Sequence, residues 1–267
     1  MNAIDALFQR LRSQGRKAFL PFLTAGDPSL PAFAELLREL ARHVTGPIEI
    51  GFPYSDPIAD GPVIQASYTR ALEGGVTLSD IFAAVCRLEV APPLVGMVSY
   101  SIVHRRGAED FVSQAQAAGL SGLIVPDLPV EEAEGLARLC AGRNCKLIQL
   151  VTPATPRDRA VQIARLSTGF LYYVSVTGIT GERDRLPEEL LEQLAWLRAQ
   201  TALPICVGFG ISKPEHVRRL REAVDGIIVG SAFVRRVEQA RTRPLAEVAR
   251  EVGELARSLT EALNPET

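Results

Sequence analysis

The sequence predicts an α/β fold, a (β/α)8 TIM barrel with an extra N-terminal helix closing the bottom. Three observations predict it. Eight short apolar runs alternate with helical patterns almost without a break. The runs are apolar throughout or nearly so, and most end in or are followed within a few residues by Gly, Pro, Thr or Asp, as parallel strands covered on both sides should. The chain has 267 residues, which suits a barrel of about 250 residues. No Pro/Gly/Ser-rich linker or shift of composition interrupts it, so residues 1–267 read as one domain.

Ile4, Leu7, Phe8 and Leu11 form an apolar helical face ahead of the first strand. A barrel does not require this helix, and the expectation is that it plugs the lower end. The predicted strands are Ala18–Thr24, Ile48–Gly51, Leu94–Tyr100, Gly122–Pro126, Lys146–Val151, Gly169–Val174, Pro204–Gly208 and Gly226–Val229. Between them Phe33, Leu36, Leu37 and Leu40 make one helix face, and Leu190, Leu191, Leu194 and Leu197 another.

With 29 basic and 31 acidic residues, the net charge is −2. That gives no electrostatic footprint for nucleic acid or an anionic membrane. Residues 1–20 are broken by Arg10, Arg12, Arg16 and Lys17 and hold no signal-like apolar core. No apolar run reaches the ~20 residues of a membrane span. A cytoplasmic location is therefore expected. Cys86, Cys140, Cys145 and Cys206 have no C-x-x-C spacing and read as small hydrophobes. His43, His104 and His216 are scattered, so no metal site is expected.

The stretch from Pro47 to Pro62 is the most informative. Strand side chains alternate, so Ile48 and Ile50 face the helices while Glu49 and Gly51 face the barrel interior. Glu49 also sits near the C-terminal end of its strand, where barrel enzymes place their chemistry. A buried carboxylate must be paired or protonated, and burial raises its pKa into a range useful for proton transfer. A structural ion pair inside the barrel is the bland alternative. The following loop holds Ser55, Asp56 and Asp60, stiffened by Pro53, Pro57, Gly61 and Pro62. Asp60 could serve as a second carboxylate with a separate pKa, or merely cap the next helix.

Glycine-rich turns follow the last three strands: Thr177–Gly181, Gly208–Ser212 and Gly230–Ser231. Glycine admits close approach of an anion, and a helix N-terminus aims free N–H groups at it. The loops after strands seven and eight are the usual phosphate site of a barrel. Gly208 and Gly210 lack the third glycine of a dinucleotide fingerprint, which argues against a nicotinamide site. The chain has three lysines. Lys17 and Lys146 sit at strand starts, and Lys213 lies beside the phosphate loop, which argues against a Schiff base. Too few histidines cluster for a metal-dependent aldolase. A phosphate-anchored small molecule with an acid/base carboxylate suggests sugar-phosphate isomerisation, epimerisation or carbon–carbon cleavage. For cleavage, the acid/base route without metal or covalent intermediate remains.

The segment Ile48–Gly61 resembles the signature of tryptophan synthase α chains. Pro21–Pro28, Ile124–Pro129, Ser175–Gly181 and Val229–Ser231 resemble the same family, so the likeness runs from the first strand to the eighth. It implies cleavage of indole-3-glycerol phosphate to indole and glyceraldehyde 3-phosphate. Glu49 would be the general acid/base, Asp60 would accept the indole N–H, and Tyr172 matches the family's active-site tyrosine. Phe22, Ile64 and Phe209 would line the indole side. Gly181, Gly210, Gly230 and Ser231 would hold the phosphate, with Tyr100 and Thr180 among the substrate-binding residues. The resemblance further implies a β chain in an α2β2 heterotetramer, carrying the pyridoxal phosphate; no cofactor is expected in this chain. The loop around Asp56 and the segment 177–186 would be mobile elements at that face.

One departure stands out. The family usually carries Asn two residues after the tyrosine at position 100, and Ile102 stands there. A changed contact with the β chain or altered loop coupling is expected, with the chemistry retained. Two other readings remain open: a stand-alone lyase releasing free indole, and a catalytically idle phosphate-binding barrel. Retention of both Glu49 and Asp60 argues against the second.

Overall fold

A computed structural model of the chain describes residues 1–57, 60–175, 188–208, 210 and 213–265. Its strands are β1 (Ala18–Thr24), β2 (Ile48–Gly51), β3 (Leu94–Met97), β4 (Leu120–Ile124), β5 (Lys146–Ile148), β6 (Leu150–Val151), β7 (Leu171–Val174), β8 (Ile205–Gly208) and β9 (Gly226–Val229). They pair in parallel in the order β5-β4-β3-β2-β1-β9-β8-β7-β6. The two ends of that order are halves of one strand, parted at Gln149. The first half bonds to β4 and the second to β7. The sheet therefore returns to its own start, and eight strands close a barrel.

Strand alternation divides the apolar residues between two compartments. Ile48, Ile50, Leu123, Leu171, Val207 and Ile227 belong to the large cluster shared with the surrounding helices. Leu20, Val95, Ile124, Ile148, Phe170, Cys206 and Ile228 fill the barrel. The helix Ala3–Ser13 inserts Ile4, Leu7, Phe8 and Leu11 into that same interior, with the rings of Phe8 and Phe170 5.7 Å apart. Asn2 anchors it. Its side chain accepts from the Ile4 N–H and donates to the carbonyls of Ser121 and Asn144, at the feet of β4 and β5. The N-terminal helix thus closes the bottom, as its periodicity predicts.

Both strand-start lysines are held at this closed end. Lys146 Nζ lies 2.6 Å from Asp5, and Lys17 Nζ donates to the Val224 carbonyl at 2.8 Å. Cys140, Cys145 and Cys206 are buried free thiols and Cys86 is exposed. Among the described residues, no helix is long and apolar enough to cross a membrane.

Some strand limits differ from those expected. Strand three ends at Met97, not Tyr100, because Ser99 starts a helix, Tyr100–Arg106. The Ser99 hydroxyl accepts from the Ser101 N–H, and the Asp127 carboxylate accepts from the Tyr100 N–H at 2.7 Å. Local side-chain bonds of this kind outcompete continuation of the strand. The strand expected over Gly169–Val174 begins, as β7, at Leu171, after Gly169 turns with φ +82°.

Candidate active site

The C-terminal end of the barrel contrasts with the filled bottom. Glu49 projects inward from β2, in register with Phe22 on β1 and Val95 on β3. It is 1 % exposed, and among the described residues neither carboxylate oxygen has a hydrogen-bond partner. The ion-pair alternative is therefore not met. Burial alone pushes the Glu49 carboxyl up to about 8. A carboxylic acid left without partners stays neutral near pH 7 and can donate a proton.

Two glycines open the space above it. A Cβ on Gly51 would stand 2.3 Å from the Phe22 ring and 2.8 Å from the Tyr68 hydroxyl. A Cβ on Gly208 would stand 2.5 Å from the Tyr172 hydroxyl. The missing side chains at the tips of β2 and β8 are what admit three aromatic groups to the barrel mouth. Tyr172 projects inward from β7, its phenol held well above the ordinary value by burial and by the charges of Glu49 and Asp60.

Asp60 comes from the loop after β2. Its N–H donates to the Pro57 carbonyl at 3.0 Å. The Gln65 amide donates to the carbonyls of Pro57 and Asp60, at 3.1 and 2.7 Å. Helix Pro62–Glu73 follows with Gly61 at its cap and no side chain bonded there, so Asp60 does not serve as the helix cap. Burial and the nearby Asp127 charge raise the Asp60 carboxyl to about 6. Asp56 lies exposed on the same loop and accepts from Ser55 at 2.6 Å.

Phe22, Ile64, Tyr68 and Val234 pack as one apolar cluster at the mouth. The Cα of Gly230 adjoins it, because a Cβ there would meet Phe22 and Ile64 at 3.7 and 3.8 Å. Ser231 opens the helix Ser231–Val237, whose first turn has no side-chain cap. The structure thus brings Phe22, Ile64 and Gly230 together, with Phe22 in register with Glu49 and Ser231 next along the chain from Gly230. Gly210 is exposed. Thr180, Gly181, Phe209 and the segment 177–186 lie outside the described residues.

Tyr100 is placed differently from the rest. Its ring packs against the outer core and lies 6.0 Å from His104, while its backbone N–H binds Asp127. Ile102 is half-buried against that outer core. Residues that sequence reasoning did not single out also meet here. Tyr68 and Asp127 line one cavity with Asp60, Tyr54, Phe52 and Met97. Asp127 lies in the Ile124–Pro129 stretch, a motif without an evident role in the sequence. Tyr68 reads there as one more core position of a helix. Among the described residues no three His, Cys, Asp or Glu side chains cluster to hold a metal ion.

Comparison with known proteins gives a consistent result. A family described as "Tryptophan synthase alpha chain" matches residues 8–264. A tryptophan synthase alpha chain from Rhodopirellula baltica is 51 % identical over 276 residues, covering 99 % of each chain. The solved alpha subunit from Legionella pneumophila superposes with a TM-score of 0.89 at 33 % identity, covering 100 % of each. A chain from the tryptophan synthase α2β2 complex of Pyrococcus furiosus superposes with a TM-score of 0.81 at 35 % identity, covering 93 % of this chain and 98 % of that one.

Proposed function

The chain belongs to the tryptophan synthase alpha chain family, and from that premise we propose how its barrel mouth cleaves indole-3-glycerol phosphate to indole and glyceraldehyde 3-phosphate. The observation that carries the reading is Glu49, a carboxyl buried without a partner among the described residues and raised to about 8.

Cleavage needs a proton delivered to indole C3 and another removed from the glycerol hydroxyl next to it. Glu49, protonated at rest, gives its proton to C3, which leaves the indole ring positively charged. Asp60 accepts the indole N–H and stabilises that charge. Glu49, now ionised, takes the hydroxyl proton. The carbon–carbon bond breaks as the aldehyde carbonyl forms, its electron pair returns to the ring, and Glu49 is protonated again. No metal or covalent intermediate enters this sequence. The separation between about 6 for Asp60 and about 8 for Glu49 supports one carboxylate and one carboxylic acid in the same site at pH 7.

Phe22 and Ile64, with Phe209, are assigned to the indole ring, and Tyr172 to the wall facing Glu49. Gly210, Gly230 and Ser231, with Gly181, are assigned to the phosphate, held largely by backbone N–H groups. Thr180 and Tyr100 complete the proposed substrate contacts, Tyr100 from the rim. Residues 1–267 act as one domain. The partner is a β chain in an α2β2 heterotetramer, which takes up indole and carries the pyridoxal phosphate. Cytoplasm is the proposed compartment. Ile102, on the helix that starts at the rim, is assigned to that contact.

The test is to follow aldehyde formation from indole-3-glycerol phosphate with and without a β chain. Cleavage that rises steeply with the β chain supports the subunit reading. Equal rates with release of free indole would favour a stand-alone lyase, and no cleavage under either condition would sink the assignment.

A further inference from the structure

Resting on that assignment, we propose that Asp127 is a positioning residue that braces the loop carrying Asp60, through a hydrogen-bonded chain of Ser99, Ser101 and Tyr54. Three neighbouring βα units meet in this chain. Strands β2, β3 and β4 end side by side, with Gly51 opposite Met97 and Met97 opposite Ile124. One more backbone bond crosses each gap above them. The Phe52 N–H donates to the Met97 carbonyl at 2.8 Å, and the Val98 N–H to the Ile124 carbonyl at 3.0 Å. Beyond that level, side chains carry the connection.

Asp127 Oδ2 accepts from the Ser99 hydroxyl at 2.6 Å, and Oδ1 accepts from the Tyr100 N–H at 2.7 Å. Ser99 Oγ in turn accepts from the Ser101 N–H at 3.2 Å. The Ser101 hydroxyl donates to the Tyr54 hydroxyl at 3.1 Å. An unbroken chain therefore runs from the loop after β4, across the start of helix Tyr100–Arg106, to the loop after β2. Its anchor is stiff, since Asp127 stands between Pro126 and Pro129, whose rings fix the backbone. The Leu128 N–H also closes a turn onto the Val125 carbonyl at 3.2 Å.

The loop after β2 is thus held at two places. Gln65 ties its far end, through Pro57 and Asp60, to the helix that follows. The Ser101–Tyr54 bond ties its near end to the next βα unit. Tyr54, Ser99 and Asp127 line the same cavity as Asp60, so the brace is part of the wall that substrate meets. Direct action of the Asp127 charge has the wrong sign, because a neighbouring carboxylate opposes the ionisation of Asp60. What Asp127 contributes is the pair of bonds it accepts. Capping does not account for the chain either. Ser99 alone caps the helix by accepting from the Ser101 N–H, whereas the bond to Tyr54 leaves that helix for another unit.

The experiment measures kcat and KM for indole-3-glycerol phosphate with saturating β chain, and thermal melting alongside. The wild type is compared with Tyr54→Phe, Ser101→Ala, Asp127→Ala, Asp127→Asn and the double variant Tyr54→Phe/Asp127→Ala. Tyr54→Phe and Ser101→Ala are expected to lower kcat by roughly 3-fold to 10-fold, the range for one neutral hydrogen bond. KM should change less, and both should melt with the wild type. Asp127→Ala should cost about 10-fold to 100-fold, the range for bonds to a charged group. Asp127→Asn keeps an oxygen for the Tyr100 N–H and an amide for Ser99, so it should restore most of that loss. The double variant should fall no further than Asp127→Ala, because the chain is already broken. Wild-type kcat in both Tyr54→Phe and Ser101→Ala would overturn the proposal, as would losses that multiply or an Asn variant no better than Ala. Losses cured by more β chain would make these residues a docking contact and overturn it too. Each of these results leaves the lyase assignment standing; an inactive wild type would overturn both.

Discussion

The two ends of the barrel hold polar groups in opposite ways. At the bottom, polar groups around the strand starts are paired: Lys146 with Asp5, Lys17 with Val224, Asn2 with two carbonyls, Arg198 with Asp225. At the mouth Glu49 is buried with neither oxygen satisfied among the described residues, and Asp60 shares a cavity with Asp127. A folded chain tolerates unpaired buried carboxyls where something else requires them. The comparison marks one end as structural and the other as chemical, without reference to any relative.

The largest expected effect comes from Glu49→Gln. Loss of the proton donor should lower kcat about 10²-fold to 10⁴-fold, measured as aldehyde release. Stability should move the other way. The folded-state pKa of Glu49 is raised from 4.5 to about 8. Its favourable contribution is complete below the unfolded value and fades as pH rises through the folded one. Relative to wild type, Glu49→Gln should therefore melt higher at pH 8 than it does at pH 5. Melting curves showing a loss at pH 8 would make Glu49 a structural group and erase the contrast between the ends.

Asp60→Asn comes next. It should reduce kcat by about 100-fold, as for removal of one preorganised charge-stabilising group, with a smaller change in KM. A rise in KM alone would demote Asp60 to stiffening the loop. Smaller still is the pH dependence of the wild type. kcat/KM should trace a bell, falling below about 6 as Asp60 is protonated and above about 8 as Glu49 ionises. A profile flat across that window would break the pairing of roles.

The smallest effect belongs to the bottom. Lys146→Gln removes a partly exposed ion pair with Asp5, worth roughly 0.2–1 kcal/mol. The melting temperature should drop by less than about 4 °C, with kcat/KM unchanged. A large loss of activity would show that the closed end is coupled to the chemistry after all.

Much of the fold was legible because its rules are local. The bounds of Ala18–Thr24, Ile48–Gly51 and Gly226–Val229 follow from apolar runs ended by turn residues, and the structure has them unchanged. Strand three was read too long because the hydroxyl of Ser99 and the distant carboxylate of Asp127 stop it. An apolar run does not show a partner 28 residues away. Tyr68 was missed for a related reason. With Ile64 and Ala71 it completes a buried helical face, and helical periodicity cannot say which residue of that face meets the site.

By itself, then, the sequence determined the barrel, its N-terminal plug, the bottom placement of Lys17 and Lys146, and the inward direction of Glu49. Each depends on a period of 2 or 3.6 residues, or on which end of a strand a residue occupies. The tertiary structure decided that Glu49 has no partner among the described residues, that Asp127 faces Asp60, and that Gly51 and Gly208 clear room for Tyr68 and Tyr172. These are distances between loops and helices from different strands. They are set only when β5 and β6 close the ring and bring eight strand ends around one opening.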